Sequence, residues 1–290
     1  MIAPEEVARL AAAVPDGALL VDKPAGLSSH DVVGRVRRSL GGRKARRVGH
    51  SGTLDPFATG LLIVLLGRAT RLQGHLMGLD KTYETLARLG ATSTTGDPEG
   101  EIVVTGVVPP DPPVLPTGLV RQRPPAYSAV RIDGERAYRR ARRGEEVVVP
   151  EREVTVHAFE QTWRAGDRAR YRIACSSGTY VRSLVADLHD AYCLELRRTA
   201  IGPFRVADAH GPDDPPDDWR VLPLTALLPV VMPTLEVDEE TARRLGHGQR
   251  VTLDGGPAGG EVGIVHAGEA VAVGRREEDG RIRPVVGFRA

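Results

Sequence analysis

Residues 61–66 read Leu-Leu-Ile-Val-Leu-Leu, a continuous apolar run bounded by Gly60 and Gly67. A run this short is consistent with a buried strand. Directly before it, residues 41–60 form a glycine-punctuated loop. Within that loop residues 49–60 read Gly-His-Ser-Gly-Thr-Leu-Asp-Pro-Phe-Ala-Thr-Gly. Asp55 is the first acid after Asp31, and the stretch between them carries Arg35, Arg37, Arg38, Arg43, Lys44, Arg46 and Arg47. Basic residues and exposed glycine amides attract phosphate, whereas a carboxylate repels it. A lone acid in that company fits a run that binds nucleic acid and an Asp55 that does chemistry on it.

The chain has 290 residues. At roughly 150 residues per domain, that predicts one large domain with a small one, or two. Hydrophobic residues make up 41%, enough for a packed core, but aromatics only 4%, so the core has to rest on Val, Leu and Ala. A formal charge of +1 does not argue against a polyanionic partner, because the charge is unevenly spread. A second basic cluster comprises Arg136, Arg139, Arg140, Arg142 and Arg143, while Asp213, Asp214, Asp217 and Asp218 gather elsewhere. Lysine occurs only at Lys23, Lys44 and Lys81. Genome composition accounts for that arginine bias, so it is not evidence of phosphate binding. Cys175 and Cys193 are too few for a disulfide framework or a four-cysteine zinc site, and are expected reduced in the interior. Glu5 and Glu6 beside a brief alanine-rich run do not make a signal peptide. No apolar stretch approaches the ~18 residues of a membrane span. The expected location is the cytoplasm.

Periodicity predicts a strand at 18–22 and a helix over 29–40, capped by Ser28 and stopped by Gly41 and Gly42. A short helix is expected at 68–79, and a strand at 81–90 with Tyr83, Thr85, Ala87 and Leu89 on one face. Residues 103–125 contain seven prolines, a density that forbids a regular helix or a central strand. A basic helix at 136–143 precedes a strand-like Val147-Val148-Val149. A strand at 169–175, a helix at 181–192 and extended chain at 195–206 follow, then a solvated connector at 211–218. From Met232 the character changes to a short helix at 239–245 and short strands at 250–253, 261–266, 270–274 and 284–288.

Two motifs fail on spacing. Gly49-His50-Ser51-Gly52-Thr53 lacks the final glycine of a nucleophile elbow, and Gly41-Gly42-Arg43-Lys44 is followed by alanine where a phosphate loop needs Ser or Thr. No clustered His/Cys pattern points to a metal. What remains is a series of fragments. They are Gly26-Leu27-Ser28-Ser29; Gly49 to Pro56 with Ala58-Thr59-Gly60; Lys81-Thr82-Tyr83; Leu89-Gly90-Ala91-Thr92 with Thr95-Gly96-Asp97; Pro125 to Ala129; Gly178-Thr179-Tyr180-Val181-Arg182; and Leu196-Arg197-Arg198-Thr199. In this order they resemble the TruB family of bacterial tRNA pseudouridine-55 synthases. The likeness spans residues 17–206, and a weaker one relates the C-terminal part to an RNA-binding PUA domain.

The resemblance implies an α/β (α+β) pseudouridine synthase fold. It has a mixed, largely antiparallel sheet flanked by helices, with a catalytic domain at 1–231 and a small β-rich PUA-like domain at 232–290. It implies a cofactor-free isomerisation in the T-arm of tRNA, with no metal, no nucleotide cofactor, no membrane and a monomeric enzyme. Asp55 matches the family's nucleophile, and Arg182 the basic residue that pairs with it and keeps the carboxylate charged. Tyr83 and Tyr180 match two active-site tyrosines that stack on the extruded base or move its proton. Leu196 matches a position lining the uracil pocket, and His50 one that packs near the target arm. Taken singly, each has an ordinary reading: Asp55 as an Asx-turn before Pro56, Arg182 as a helix-surface residue, Tyr83 and Leu196 as core. The runs at 35–47 and 136–143 would contact backbone phosphates. The chain departs from the family at 103–125, where members carry a helix and this stretch is shorter and proline-rich. Two other readings are a tRNA-binding, folding-assistance protein without catalysis and a guide-dependent synthase of the archaeal-eukaryotic group.

Overall fold

The computed structural model describes residues 14–42, 46–125, 127–128, 130–132, 134–145 and 147–288. Glu5, Glu6, Arg43, Lys44, Ala126 and Ala129, and the side chains of Arg136 and Arg142, lie outside the described residues.

In chain order, β1 (Gly17–Lys23), α1 (Ser29–Ser39), β2 (Val48–His50) and β3 (Thr59–Leu66) come first. A 3-10 turn at Gly67–Leu72 and α2 (Gln73–Met77) lead to β4 (Lys81–Leu89), β5 (Ala91–Ser93), β6 (Ile102–Val104) and β7 (Gly118–Gln122). Then come β8 (Arg131–Ile132), β9 (Glu135–Arg136), α3 (Ala137–Arg142), β10 (Arg152–Ala165), β11 (Arg168–Cys175) and α4 (Val181–Ala186). The first module closes with β12 (Ala191–Ile201), β13 (Phe204–Arg205), β14 (Val221–Pro223) and α5 (Leu224–Val231). The remainder holds β15 (Thr234–Glu236), α6 (Glu239–Gly246), β16 (Val251–Thr252), β17 (Glu261–His266), β18 (Glu269–Arg276) and β19 (Arg281–Gly287).

Ten strands form one sheet in the order β14-β1-β3-β12-β4-β11-β10-β7, with β13 on β12 and β2 on β3. All its pairings are antiparallel except β3 with β12. The apolar run of β3 lies inside it, between β1 and β12, and Leu61 to Leu66 are all fully buried. Both faces of the strand are covered, which is why no polar residue interrupts it. Leu62, Val64 and Leu66 pack with Val32 and Val36 of α1. Leu61, Ile63 and Leu65 pack with Leu227, Leu228, Val273 and Phe288. The last two belong to the C-terminal part, so one core is shared across the two sheets. The second sheet has the order β15-β17-β18-β19-β16.

α1 begins and ends where its sequence dictates. Ser28 and Asp31 close a capping box, each side chain accepting the other's backbone N–H. At the far end Gly42 N–H donates to the Arg37 carbonyl and Gly41 N–H to the Arg38 carbonyl. Gly41 has a φ of 84°, the left-handed conformation that this double closure needs.

Several elements differ from the sequence expectation. The helix expected over 68–79 divides into the 3-10 turn and α2. The one expected over 181–192 stops at Ala186, because His189 turns the chain with a φ of 64° and β12 starts at Ala191. Val147 to Val149 form no strand among the described residues, and Val148 is exposed. The proline-rich stretch carries β7, but at the outer edge of the sheet, where a proline-flanked strand is tolerated. Both cysteines are buried and free.

Candidate active site

The loop that carries Asp55 is fastened from below. Lys23, fully buried, donates to the carbonyls of Leu27 at 2.6 Å, Pro24 at 2.9 Å and Pro56 at 3.1 Å. Gly26 N–H donates to the Pro56 carbonyl at 2.8 Å. Ser29 Oγ accepts from Leu54 N–H at 2.8 Å and donates to the Leu54 carbonyl at 3.2 Å. The residues on both sides of Asp55 are thereby held by the β1–α1 segment. Behind the loop, Arg198 of β12 donates to the carbonyls of Leu61, Gly52 and Thr53. Gly60 lets the two strands meet there: its φ is 104°, and a Cβ would stand 2.3 Å from the Arg198 carbonyl oxygen.

Asp55 faces Arg182, the second residue of α4, from a sequence distance of 127 residues. Arg182 Nε lies 3.0 Å from Asp55 Oδ2, and Nη2 donates to Oδ1 at 3.2 Å. The same guanidinium reaches a second acid. Nη1 donates to Asp97 Oδ2 at 2.9 Å and to the Thr95 carbonyl at 2.7 Å, and Nη2 to the Tyr127 carbonyl at 3.0 Å. Asp97 is fixed by the Thr95 hydroxyl at 2.6 Å and by Glu99 N–H at 3.1 Å. The Arg182 and Asp97 side chains are 3% and 5% exposed, but that of Asp55 is 30% exposed. Asp55 is thus the member of the trio open to the cleft.

Burial pushes the Asp55 carboxyl above the ordinary carboxylate range; Arg182 opposes that shift and the charge of Asp97 adds to it. The sequence reading expects the cation to hold the carboxyl down. Burial outweighs it, so Arg182 limits the rise rather than producing a fall.

A cleft of ≈ 320 Å³ opens beside Asp55, with Tyr83, Tyr180, Arg182 and Leu196 among its walls. Tyr83 on β4 is buried, and that burial raises its phenol. Leu196 comes from the neighbouring β12. Tyr180, at the start of α4, is locked by a reciprocal pair of bonds: its N–H donates to Gln122 Oε1 and its carbonyl accepts from Gln122 Nε2, both at 2.8 Å. Gln122 ends β7, so the proline-rich stretch supplies the clamp for this wall. Arg152 covers the Tyr180 ring, its guanidinium carbon 4.8 Å from the centroid. His50 does not line this cleft. It lines an adjoining cavity of ≈ 520 Å³ that shares Asp55 and Arg182.

A partly exposed carboxylate held by a buried cation, beside a slot walled by two tyrosines and a leucine, is equipped for nucleophilic chemistry on a flat ring. The family model for the N-terminal domain of TruB family pseudouridylate synthases matches residues 37–181, and that for the TruB pseudouridine synthase II C-terminal domain matches residues 233–288. Among curated proteins, tRNA pseudouridine synthase B of Thermobifida fusca (strain YX) is 42% identical over 94% of this chain and 98% of its own length. This chain belongs to the TruB family.

The namesake from Leifsonia xyli subsp. xyli (strain CTCB07) is also 42% identical, over 87% of this chain and 89% of that protein. Among solved structures, a chain of a Cbf5-Nop10-Gar1 complex superposes with a TM-score of 0.70 at 24% identity, covering 99% of this chain and 88% of that one. That likeness shows the pseudouridine synthase fold.

Of the residues singled out in the sequence, Asp55, Tyr83, Tyr180, Arg182 and Leu196 meet at one TruB cleft. His50 stands at its neighbour. The sequence does not single out Lys23, Gln122 or Arg152 as parts of the site, and Asp97 and Arg198 enter it only within fragments. The signals were faint: a lysine in an Asp-Lys-Pro corner, an acid after Thr95-Gly96, an arginine inside a strand. The basic clusters are less available than their composition implies. Arg35 pairs with Asp213 and Arg46 with Asp16. Arg143 is held by Glu135 and Glu145, and Arg140 also reaches Glu145.

Proposed function

We propose that this chain is a tRNA pseudouridine synthase that isomerises uridine 55 in the T-arm of tRNA. The observation that carries this is the Asp55 carboxylate, 3.0 Å from Arg182, on the open side of a cleft walled by Tyr83, Tyr180 and Leu196. Uracil inside a helical stem or loop stack is out of reach of any side chain, so the target nucleotide swings out into this cleft. Tyr180 and Tyr83 hold the ring by stacking and proton contact, while Leu196 supplies an apolar edge. Asp55 is the nucleophile, and Arg182 is its charge partner. His50, in the adjoining cavity, packs beside the target arm. The net change breaks one C–N bond and forms one C–C bond within the same nucleotide, so no cofactor enters.

Residues 1–231 form the catalytic domain in this reading, and 232–290 a PUA-like module that extends the grip on tRNA. In this reading the enzyme works as a monomer. The reading places it in the cytoplasm with its tRNA substrate. The test is to incubate the purified protein, without any guide RNA, with a T-arm minihelix and map pseudouridine. Asp55→Asn should abolish formation by roughly 10⁴-fold or more while retaining RNA binding. Full turnover by that variant overturns the assignment, and a requirement for added guide RNA would reassign the chain to the guide-dependent group.

A further inference from the structure

Arg182 is matched by carboxylates, but the two other buried cations in the same cleft are not. Arg198 and Lys81 both line it, and they are only 2% and 6% exposed. Arg198 donates to three carbonyls, at 2.8 Å (Leu61), 3.2 Å (Gly52) and 3.4 Å (Thr53). Lys81 donates to the carbonyls of Met77, at 2.6 Å, and Leu79. Among the described residues neither forms an ion pair with a carboxylate. A guanidinium has five donors and an ammonium three, so both keep donors in reserve.

Two buried cations on neighbouring strands, without a counter-ion, oppose folding. Burial and the charge of Arg198 bring Lys81 down to about 8, with Cys175 and Asp80 acting the other way. Asp55 is not the missing anion, since it is committed to Arg182. The Tyr83 phenol, beside Arg198, is raised and stays neutral. The complementary negative charge therefore arrives from outside, in some state of the reaction.

The isomerisation proposed above generates such a charge. When the bond from ribose C1′ to uracil N1 breaks, its electron pair leaves on the base. The uracil is then a monoanion, with charge shared by N1, O2 and O4. If the carboxylate adds to C6 instead, the displaced pair moves toward O4. Either course puts negative charge on the ring. It is discharged when C5 bonds to C1′, C5 loses its proton and N1 gains one. We propose that Arg198 and Lys81 form a cationic floor that stabilises this transient uracil anion. The proposal rests on the reading that the cleft detaches and rejoins uracil. The bound base is neutral before the bond breaks, so the two cations bind the transition state better than the ground state.

Lys81 is the residue to vary, because Arg198 also braces the loop before Asp55. The experiment follows single turnovers of the full chain on T-arm minihelices carrying uridine or 5-fluorouridine at the target. Fluorine at C5 withdraws electron density and makes the base a better anion. Lys81→Met should slow conversion of uridine by about 10²-fold. On 5-fluorouridine the loss of base detachment should be much smaller. Lys81→Arg, which keeps the charge, should recover most of the rate. The wild-type rate should fall above about pH 8 as Lys81 neutralises, and Lys81→Arg should carry that limb to higher pH; Lys23, under the Asp55 loop, is also brought down to about 8 but is unchanged in that variant, so a limb set by Lys23 would not move. The other titratable groups around Lys81 are Asp80, which faces His157 at 3.1 Å, together with Cys175, Tyr83 and Arg198. Burial sends the Cys175 thiol up to about 11, clear of that limb.

Equal losses on the two bases, or a wild-type rate in Lys81→Met, overturn the cationic floor. Should Lys81→Met not fold, Lys81→Arg decides on uridine alone: its alkaline limb must lie above that of wild type, and an unchanged limb overturns the proposal. A wild-type protein that converts neither base overturns the proposed function instead, so the two failures are distinct.

Discussion

Two arginines in this molecule each sit between two carboxylates, yet Asp55 beside the first shifts the opposite way from the glutamates beside the second. Arg182 lies between Asp55 and Asp97, with contacts of 2.9–3.2 Å. Arg143 lies between Glu135 and Glu145, with contacts of 2.6–2.9 Å. By distance the second trio is the tighter. The Glu135 and Glu145 carboxyls, exposed to water, are held below their ordinary range, Glu135 by its bonds from Arg143 and Glu145 by those from Arg140 and then Arg143. Asp55 is pushed above its range, because its partners cannot make up for lost hydration. Ionic contact does not mark a reactive group. Contact combined with burial, and one face left open to a cleft, does.

The largest effect expected follows from removing the cation on each side. Arg182→Met leaves Asp55 and Asp97 facing each other without the guanidinium between them, with Lys23 as the remaining cation acting on Asp55. Breaking a buried ion pair from one side costs about 3–5 kcal/mol, so chemical denaturation should show a loss of that order and pseudouridine formation should collapse. The comparison fails if Arg182→Met unfolds at the wild-type midpoint.

The pH dependence gives a second, signed test. In this reading Asp55 has to be ionised to react. A carboxyl with a raised pKa takes up its proton at a higher pH than an ordinary one, so the acid limb of the rate should lie above the usual aspartate range. Asp97→Asn removes the like charge that raises Asp55 and leaves Arg182 to it alone. The limb of its residual activity should therefore move to lower pH. Rate profiles measured on wild type and Asp97→Asn check this, and a limb moving upward contradicts the electrostatic account.

A smaller effect concerns the loop under the trio. Ser29→Ala removes two bonds to Leu54, one of them to its N–H. An unmet buried N–H costs about 1–3 kcal/mol. Thermal unfolding should register that loss. The kcat should fall as the Asp55 loop loosens.

Legibility in the sequence followed the range of the interactions. α1 was readable from Ser28, Gly41 and Gly42, all within one short segment. β3 was readable because burial on both faces leaves only apolar residues. The longest strand, β10, was not: its register shifts between Val156 and Ala158 and between Gln161 and Trp163, which breaks the alternation that marks a strand. Asp55 and Arg182 could be paired only through resemblance to a family, and Asp97 as the other partner of Arg182 came from the fold. The same holds for Gln122, whose grip on Tyr180 crosses 58 residues from a stretch that reads as linker. Lys81 and Arg198 show the limit most clearly. Local sequence says they are charged; only the sheet says they are buried without a carboxylate.

The smallest effect is expected at the exposed trio, and it tests the comparison from the other side. Arg143 is about half exposed, and its two glutamates more than a third. Water already solvates all three, and mobile ions screen them within a Debye length of ~8 Å at physiological salt. The sign of their linkage is that of lowered carboxyls. Whatever they contribute is present above the unfolded glutamate pKa and is lost as pH falls through the lowered folded values. Arg143→Met should leave the thermal midpoint unchanged within error, at low salt and high. A drop comparable to that of Arg182→Met would mean that contact geometry, not burial, sets the strength of both trios, and the contrast between them would disappear.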